Sequence, residues 1–326
     1  MFIVKTKFIE KQMRKRVFKS MEDYKGKGQK TIKALPESPE FGFFTWFRIF
    51  REKKIKVKYK INPLAMPYGL RAIMGIRKSF KNLKNNPKDP LTEITQDGLR
   101  ELEEYAKSIG VDKIGYTKLT PELILENQEL LYDNMIIIIK EMDKDLMELA
   151  PHKKTMLMIM KTYYQMGKQA NKIAKFLREK GFSVHAGPAL AGLSIYPVLA
   201  QRADLGAIGR HGMLITPEFG PRQRIAVIYT NITNLPFAKS NSYAWISEFC
   251  KTCVRCMETC PTNAIYDNPI QKAHGRLTHI DVEKCALGFL TYGCSICIKE
   301  CTFNRNSSEK LKRVIEKKKL SNKIEI

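Results

Sequence analysis

All eight cysteines of this 326-residue chain lie between positions 250 and 301, and this clustering constrains the fold more than any other feature. Scattered disulfides would not be distributed in this way. The cysteines form the runs Cys250-x2-Cys253-x2-Cys256-x3-Cys260-Pro261 and Cys294-x2-Cys297-x3-Cys301, with Cys285 between the two runs. This spacing is typical of two iron–sulfur clusters, and thiolate ligands imply a reducing or anaerobic setting.

The spacing also predicts how the cysteines divide between the clusters. In two-cluster ferredoxins the fourth cysteine of such a run ligates the other cluster. We therefore expect two [4Fe–4S] clusters, the first held by Cys250, Cys253, Cys256 and Cys301 and the second by Cys260, Cys285, Cys294 and Cys297. Thr291 stands where a symmetric ferredoxin has a cysteine, so Cys285 must replace it through a longer loop, and Thr302 replaces the proline after the last cysteine. A pair of tetrahedral zinc sites is the alternative interpretation.

Positive charge is concentrated near the N-terminus. Of the net charge of +24, residues 1–90 carry +17, from 24 basic and 7 acidic side chains, and residues 91–326 carry +7. A region of this kind could contact anionic lipid, RNA or an acidic protein, or it could be an ordinary solvated surface.

An aromatic segment lies inside the basic region. FGFFTWFRIF at 41–50 contains six aromatic residues, and 51–60 adds six basic ones. This composition suits a membrane-surface segment, but the aromatics show no single-face spacing, so they could equally complete a core or cover a cavity. The N-terminus lacks the apolar stretch of a signal peptide, and the longest aliphatic run, 135–139, is too short for a transmembrane helix. We therefore predict a cytoplasmic protein whose basic region is a candidate for peripheral membrane or RNA contact.

From about residue 91 the pattern is that of an α/β protein. Leu99, Leu102, Ala106 and Ile109 share one face of a helix that stops at Gly110. A long helix is predicted from about residue 155 to Gly181. Strands are expected at 111–116, 135–139, 182–186 and 225–230, with 135–139 buried on both faces. The composition, with 44% hydrophobic residues, excludes a disordered chain and supports a substantial core.

Three stretches, read together with the cysteines, resemble the corrinoid-dependent reductive dehalogenase family. They are the glycine-rich block ADLGAIGRHGMLITPEFGPRQR at 203–224, the segment KTYYQM at 161–166, and the strand and acidic turn at 135–151. The resemblance covers about residues 95 to 305. The related epoxyqueuosine reductases are less similar in the GRHG block and commonly carry a helical-repeat extension, whereas 25 residues follow Cys301 here.

The resemblance implies a fold and cofactors. Residues 91–240 would form a nitroreductase-like α/β domain that binds a cobalamin-type corrinoid, and 241–305 a ferredoxin-type domain with both [4Fe–4S] clusters. Residues 1–90 would be a basic, aromatic-containing N-terminal region and 306–326 a Lys-rich tail. The chain has no Asp-x-His-x-x-Gly motif, which agrees with a base-off corrinoid.

The glycine-rich block is the expected corrinoid contact, through Gly206, Gly209, Arg210, His211 and Gly212. Glycines at these positions would let the main chain approach a bulky macrocycle. The alternative is a packing loop that binds no ligand.

The family uses a tyrosine as proton donor beside a basic side chain, because an adjacent cation favours the phenolate form. By motif, Tyr163 is the expected donor and Arg222 its partner, with Tyr164 and Arg224 as close second choices. The structural alternative is a core tyrosine and a salt-bridged loop arginine.

The leading hypothesis is therefore an oxidoreductase that passes electrons from a low-potential donor, such as a ferredoxin or flavodoxin, through two clusters to cobalt. Its substrate would be a small organic molecule, with or without a halogen. One alternative is a ferredoxin-type electron-transfer protein without corrinoid. Another is a tRNA-modifying reductase similar to epoxyqueuosine reductase, whose basic N-terminal region contacts RNA phosphates.

Overall fold

Helices and strands alternate through most of the chain, as the sequence predicts. The computed structural model describes residues 30–39, 49, 52, 62–190 and 192–324. The helices are α1 (Ala65–Lys81), α2 (Gln96–Ser108), α3 (Lys144–Glu148), α4 (Lys153–Glu179), α5 (Tyr196–Arg202), α6 (Ala244–Thr252), α7 (Arg255–Glu258), α8 (Val282–Tyr292), α9 (Ile296–Lys299), α10 (Thr302–Arg305) and α11 (Ser308–Ile324). The strands are β1 (Ile32–Lys33), β2 (Lys113–Lys118), β3 (Glu129–Leu130), β4 (Asn134–Glu141), β5 (Val184–Gly187), β6 (Ala207–Ile208), β7 (Leu214–Ile215), β8 (Gln223–Thr230), β9 (Ile265–Gln271) and β10 (Leu277–Ile280).

The predictions for the basic and aromatic segments of the N-terminal region fall largely on residues 1–29 and 40–61. Apart from Ile49 and Glu52, these segments lie outside the described residues. Among the described helices, none combines the length and the hydropathy that crossing a membrane requires.

The central sheet has four strands in the order β2-β4-β8-β5, and all three pairings are antiparallel. The four strands predicted from the sequence are confirmed, with bounds that differ by at most two residues. β4 is a central strand, because Ile137 pairs with Gly115 on one side and with Val227 on the other.

Alternate residues of β4 pack into two separate layers. Ile136 and Ile138 lie in a cluster with residues of α2 and α4, whereas Met135, Ile137 and Ile139 lie in a cluster with residues of α1 and α5. All five of these side chains are fully buried. The period of two in a strand sends neighbouring side chains to opposite faces, so one hydrophobic run serves both layers.

The helix that carries the predicted proton donor is the longest in the described part of the chain. α4 begins after His152, whose Nδ1 accepts a hydrogen bond from the Lys154 N–H at 3.2 Å. It ends before Gly181, which has φ +90°, as expected from the sequence. α4 packs along α1 and against β8, so its N-terminal half reaches the end of the sheet where β8 begins.

The cysteine-rich segment consists of short helices around a β-hairpin. β9 and β10 pair antiparallel between Cys260 and Cys285. The sequence predicts that a longer loop brings Cys285 to the second cluster. This prediction is wrong in one respect, since Cys285 lies within α8 rather than in a loop. α8 ends at Gly293 in the left-handed conformation, and the chain then turns to Cys294.

Candidate iron–sulfur and active site

Four thiols surround one small cavity beside the glycine-rich block. The cavity is lined by Cys250, Cys253, Cys256 and Cys301, together with Arg210, His211, Ile215, Thr302 and Phe303. We call these four cysteines the first thiol group. They come from α6, the turn after it, α7 and the residue before α10. The structure thus brings together the four cysteines that the sequence assigns to the first cluster.

The remaining cysteines, Cys260, Cys285, Cys294 and Cys297, form the second thiol group. Cys297 is half-buried, and burial followed by the nearby Cys294 and Cys285 raises its pKa well above the usual value. Cys260 is close enough to raise the pKa of both Cys285 and Cys294. Cys256 of the first group also acts on Cys297, so the two groups are adjacent.

Some of these sulfur atoms already have hydrogen-bond partners. The Ala264 N–H donates to Cys260 Sγ at 3.3 Å. Burial alone would raise the pKa of Cys260, but backbone hydrogen bonds such as that of Ala264 lower it overall. The Thr302 hydroxyl lies 3.2 Å from Cys253 Sγ, so the residue that replaces the expected proline contacts the first thiol group.

The donor chemistry of the two groups fits iron better than free thiols. Burial, together with the neighbouring thiols, raises the pKa of Cys250 to about 12 and those of Cys256 and Cys285 to about 11. Closely spaced thiolates repel one another in a buried site, so deprotonation needs a compensating cation. Iron supplies this charge, and each thiolate of a [4Fe–4S] cluster can bind a different iron atom. Within the described residues, no three His, Cys, Asp or Glu side chains are grouped as ligands of a single metal ion.

Arg210 of the glycine-rich block holds the cysteine-rich segment. Its Nε donates to the Cys250 carbonyl at 3.0 Å and its Nη2 to the Lys251 carbonyl at 2.6 Å. Its Nη1 donates to the Asp267 carbonyl and lies 3.3 Å from Asp267 Oδ1. The Arg210 side chain was predicted as a corrinoid contact, but here it clamps α6 to β9.

His211 is also turned to the cysteine-rich segment. It lines the first cavity and is 3% exposed. Burial, with a smaller effect of nearby His279, lowers the pKa of His211 to about 4. The ring is therefore neutral at physiological pH.

The three glycines of this block are explained by protein contacts. A Cβ on Gly206 would lie 2.2 Å from the Ile215 carbonyl oxygen, and one on Gly209 would lie 2.5 Å from Ile215 Cδ1. Gly212 has φ +75°, and a Cβ there would lie 3.0 Å from the Cβ of His279. Contacts within the protein therefore account for these glycines, and their role as corrinoid contacts stays a prediction.

The predicted tyrosine is paired with the second-choice arginine. The Arg224 guanidinium carbon lies 4.6 Å from the centre of the Tyr163 ring. Arg222 instead bonds Glu141 Oε1 at 2.6 Å through Nη1, which also donates to the Met142 carbonyl at 3.1 Å. The expectation that Arg222 stands beside Tyr163 thus gives way to Arg224.

Tyr164 faces a different part of the fold. Its ring centre lies 6.0 Å from that of Tyr68 on α1, with the Arg71 guanidinium over both rings. Successive residues of a helix point about 100° apart, which separates the surroundings of Tyr163 and Tyr164.

Tyr163 lies near the second thiol group. Tyr163, Met213 and Cys297 all pack on one buried cluster that includes Ile159 of α4 and Ile298 of α9. The cluster joins the tyrosine helix, the glycine-rich block and the second thiol group. The phenol of Tyr163 and the thiol of Cys297 therefore pack on the same apolar cluster.

Sequence comparison finds relatives among two kinds of reductase. The chain is 31% identical over 220 residues to a tetrachloroethene reductive dehalogenase of Desulfitobacterium hafniense, covering 63% of this chain and 39% of that protein. It is 26% identical over 250 residues to the epoxyqueuosine reductase of Bacillus subtilis (strain 168), covering 63% of each. No family model matches the chain. The chain is thus related to reductive dehalogenases and epoxyqueuosine reductases, as the resemblance predicts, and it spans about two fifths of the length of the dehalogenase.

Solved structures agree on the fold. A catabolic reductive dehalogenase in complex with 3-bromo-4-hydroxybenzoic acid matches with a TM-score of 0.57 and 19% identity, over 87% of this chain and 46% of that one. A reductive dehalogenase for which a B12-dependent mechanism is suggested matches with a TM-score of 0.59 and 17% identity, over 91% and 46%. The described part of this chain therefore shares its fold with these reductive dehalogenases.

The close approach of Gly220 to Phe303 predicts that a side chain at position 220 would weaken the packing of the cysteine-rich segment on the glycine-rich block. Gly220 has φ +57°, and a Cβ there would lie 2.5 Å from the Phe303 carbonyl oxygen. Gly220→Ala should lower the free energy of unfolding by about 1–3 kcal/mol more than Gly275→Ala, because overpacking adds to the backbone penalty. Circular dichroism during anaerobic denaturation measures the difference.

Gly275→Ala is a matched control, because Gly275 has φ +71° with no atom within 4 Å of the added Cβ. Equal losses in the two variants would mean that the close approach at Gly220 does not hold the segment.

Proposed function

We propose that this protein is a reductase in which two [4Fe–4S] clusters deliver electrons to a corrinoid that reduces a small organic substrate. The observation that carries the proposal is the shared buried cluster that joins Tyr163, on α4, to Cys297 of the second thiol group. A proton donor and an electron carrier that pack on one apolar cluster would together serve the reductive removal of a leaving group, which needs both electrons and a proton. The relation to reductive dehalogenases supports the same reaction class.

The clusters are assigned to the two thiol groups. Cys250, Cys253, Cys256 and Cys301 would hold the first cluster, and Cys260, Cys285, Cys294 and Cys297 the second. Support comes from the cavity lined by the first four cysteines and from the mutual electrostatic effects among the second four. A low-potential donor such as a ferredoxin or flavodoxin would supply the electrons. We retain 91–240 and 241–305 as the corrinoid-binding and ferredoxin-type domains.

The corrinoid is assigned to the surface near Tyr163 rather than to the glycine-rich block. Two buried guanidinium nitrogens, Nε of Arg222 and Nε of Arg224, have no hydrogen-bond partner among the residues that the structure describes. Unpaired buried donors are costly, so a polar ligand edge at this place would satisfy them. When bound, a corrinoid supplies a cobalt centre whose reduced form can transfer electrons to a substrate.

Residues of the chain itself would donate the proton and stabilise the group that loses it. Tyr163 would give its Oη proton to the reduced substrate, and the Arg224 guanidinium would stabilise the phenolate that remains. Arg222 would act as a positioning residue, because its bonds to Glu141 and Met142 fix the start of β8, which carries Arg224. Burial of the surrounding side chains would limit competing proton donation from water.

Reconstitution with cobalamin is the experiment that tests the proposal. The anaerobically purified protein, loaded with iron and sulfide, should bind cobalamin in about equimolar amount and give a base-off absorbance spectrum. Cluster-loaded protein that retains no cobalamin after gel filtration would instead support the electron-transfer alternative. Salt-dependent binding of tRNA would favour the RNA-modifying alternative. The cytoplasmic location and the membrane contact stay predictions from the sequence.

The pairing of Tyr163 with Arg224 gives a prediction for catalysis. Tyr163→Phe keeps the ring and removes the hydroxyl, so turnover should fall by roughly 10²-fold or more while both clusters and cobalamin remain bound. Arg224→Leu should have a similar effect, and the double variant should be little worse than either single one, since groups that act as a unit are non-additive. Turnover of a panel of aryl and alkenyl halides with a chemical low-potential reductant provides the measurement.

Two neighbouring residues serve as controls for this pair. Tyr164→Phe should keep most of the activity, because Tyr164 faces Tyr68 and Arg71. Full activity of Tyr163→Phe together with loss in Tyr164→Phe would move the donor by one residue. Full activity in both would rule out a tyrosine donor from this helix.

The assignment of cysteines predicts which cluster each substitution affects. The intact protein should contain close to eight iron atoms and eight acid-labile sulfides, as two [4Fe–4S] clusters require. Cys285→Ser should perturb the second cluster and leave the first, since the first thiol group remains complete. Iron analysis and electron paramagnetic resonance of the reduced protein test this. Loss of both cluster signals would contradict the pairing, and bound zinc in place of iron would contradict the clusters themselves.

A further inference from the structure

His211 has an unused hydrogen-bond donor in the wall of the first cavity. The residue lies in the turn between β6 and β7, and its ring is almost fully buried. The same ring lines the cavity formed by the first thiol group. Its Nε2 is buried and has no hydrogen-bond partner in the described part of the chain.

A backbone contact fixes which ring nitrogen carries the proton. The Met213 N–H donates to His211 Nδ1 at 3.2 Å. A nitrogen that accepts a hydrogen bond must present a lone pair, so the neutral ring carries its hydrogen on Nε2. Nε2–H is therefore a donor that lacks an acceptor among the described residues.

The lining of the cavity limits what the acceptor can be. Arg210 offers only donors, Ile215 and Phe303 are apolar, and the Thr302 hydroxyl already contacts Cys253 Sγ. The other lining groups are the four thiols of the first thiol group. A buried donor without an acceptor is costly, so an arrangement that supplies an acceptor is favoured. Sulfur in a bound cluster would be such an acceptor.

We propose that His211 donates its Nε2–H to a sulfur of the first [4Fe–4S] cluster and thereby raises the reduction potential of that cluster. This inference rests on the proposed function, because it requires a cluster on the first thiol group. His211 is thus a positioning and tuning residue for electron transfer, rather than the corrinoid contact that the sequence predicts.

Electrostatics explains why a hydrogen bond from His211 would raise, rather than lower, the reduction potential of the first cluster. Reduction adds one electron to the cluster and makes its sulfur atoms more negative. A hydrogen bond to sulfur stabilises the reduced form more than the oxidised form, and such bonds are among the factors that set cluster potentials. No covalent bond forms or breaks, and the proton stays on His211 throughout the step.

His279 is the competing acceptor. It lies near enough to lower the pKa of His211, and its own Nδ1 is buried without a partner. A bond between the two rings would satisfy His211 without a cluster. In that case replacing His211 would leave the potential of the first cluster unchanged.

A redox titration monitored by electron paramagnetic resonance tests the proposal in the cluster-loaded full chain. In His211→Leu the ratio of oxidised to reduced first cluster, at a fixed potential, should rise about tenfold, which corresponds to a fall of ~59 mV for a one-electron couple. The second cluster is the internal control and should keep its potential. An unchanged first potential, or an equal fall in both clusters, would overturn the proposal.

Two amide variants sharpen the test and keep it valid should His211→Leu assemble the first cluster poorly. The side-chain nitrogen of glutamine can take the place of Nε2, whereas that of asparagine reaches only the place of Nδ1. His211→Gln should therefore keep the potential close to that of the intact protein, and His211→Asn should show the fall. Equal potentials in these two variants would overturn the proposal.

His279→Leu is the matched control for the loss of a nearby imidazole, and its first cluster should keep its potential. If the potential of the first cluster fell as far in His279→Leu as in His211→Leu, the position of the imidazole would not matter. That result would overturn the assignment of His211 as the hydrogen-bond donor. Iron and sulfide analysis separates this failure from that of the proposed function, since an intact protein without a first cluster would refute the latter before any variant is compared.

Discussion

The cysteine-rich segment meets the glycine-rich block at a close approach of two backbone segments, at Gly220 and Phe303. No side chain larger than hydrogen fits at Gly220, so the chain after Cys301 packs directly on the glycine-rich block. The Ser308 hydroxyl donates to the Pro217 carbonyl at 2.6 Å, and Asn304 Nδ2 donates to Glu148 Oε1 at 2.6 Å. These short polar contacts join the residues just after Cys301 to the glycine-rich block and to α3.

The register of the sheet decides which arginine meets the tyrosine. Arg224 has the same parity along β8 as Ala226 and Ile228, and both of these face the layer that contains α4. Its cross-strand neighbour is Lys140, which bonds the Gly110 carbonyl at 2.9 Å. Two cations side by side repel, so Arg224 gains by lying over the negative face of an aromatic ring. Arg222 lies just before the strand and meets Glu141 instead.

Sequence reasoning predicted the elements of the sheet and the grouping of the cysteines, because both depend on local spacing. A hydrophobic run rich in β-branched residues, such as 135–139, predicts a buried strand whatever its position in the sheet. The antiparallel order could not be read from that run, since burial on both faces is also typical of parallel strands. The choice between Arg222 and Arg224 depends on a strand boundary one residue away, and such boundaries are the least certain part of a sequence prediction.

The glycine-rich block shows why residue type alone misleads. Gly206, Gly209 and Gly212 look like openings for a ligand, yet the space beside them is filled by Ile215 and His279. A glycine permits close approach by any neighbour, and the sequence does not say whether that neighbour is a cofactor or the protein itself. The departures from the ferredoxin pattern were more informative. Thr302 stands where the ferredoxin pattern has a proline, and its hydroxyl lies within hydrogen-bond distance of Cys253 Sγ.

The adjacency of the two thiol groups and Tyr163 has a further physical consequence under the proposed function. Cys256 and Cys297 are near enough to affect each other's charge, and Cys297 shares a buried cluster with Tyr163. In a poorly polarisable interior, moving an electron alone leaves an uncompensated charge whose cost grows as water is excluded. A proton that Tyr163 gives to the substrate would compensate the charge of the electrons that the substrate receives. The cation of Arg224 would then stabilise the phenolate left behind, so the electron and proton steps would each lower the electrostatic cost of the other.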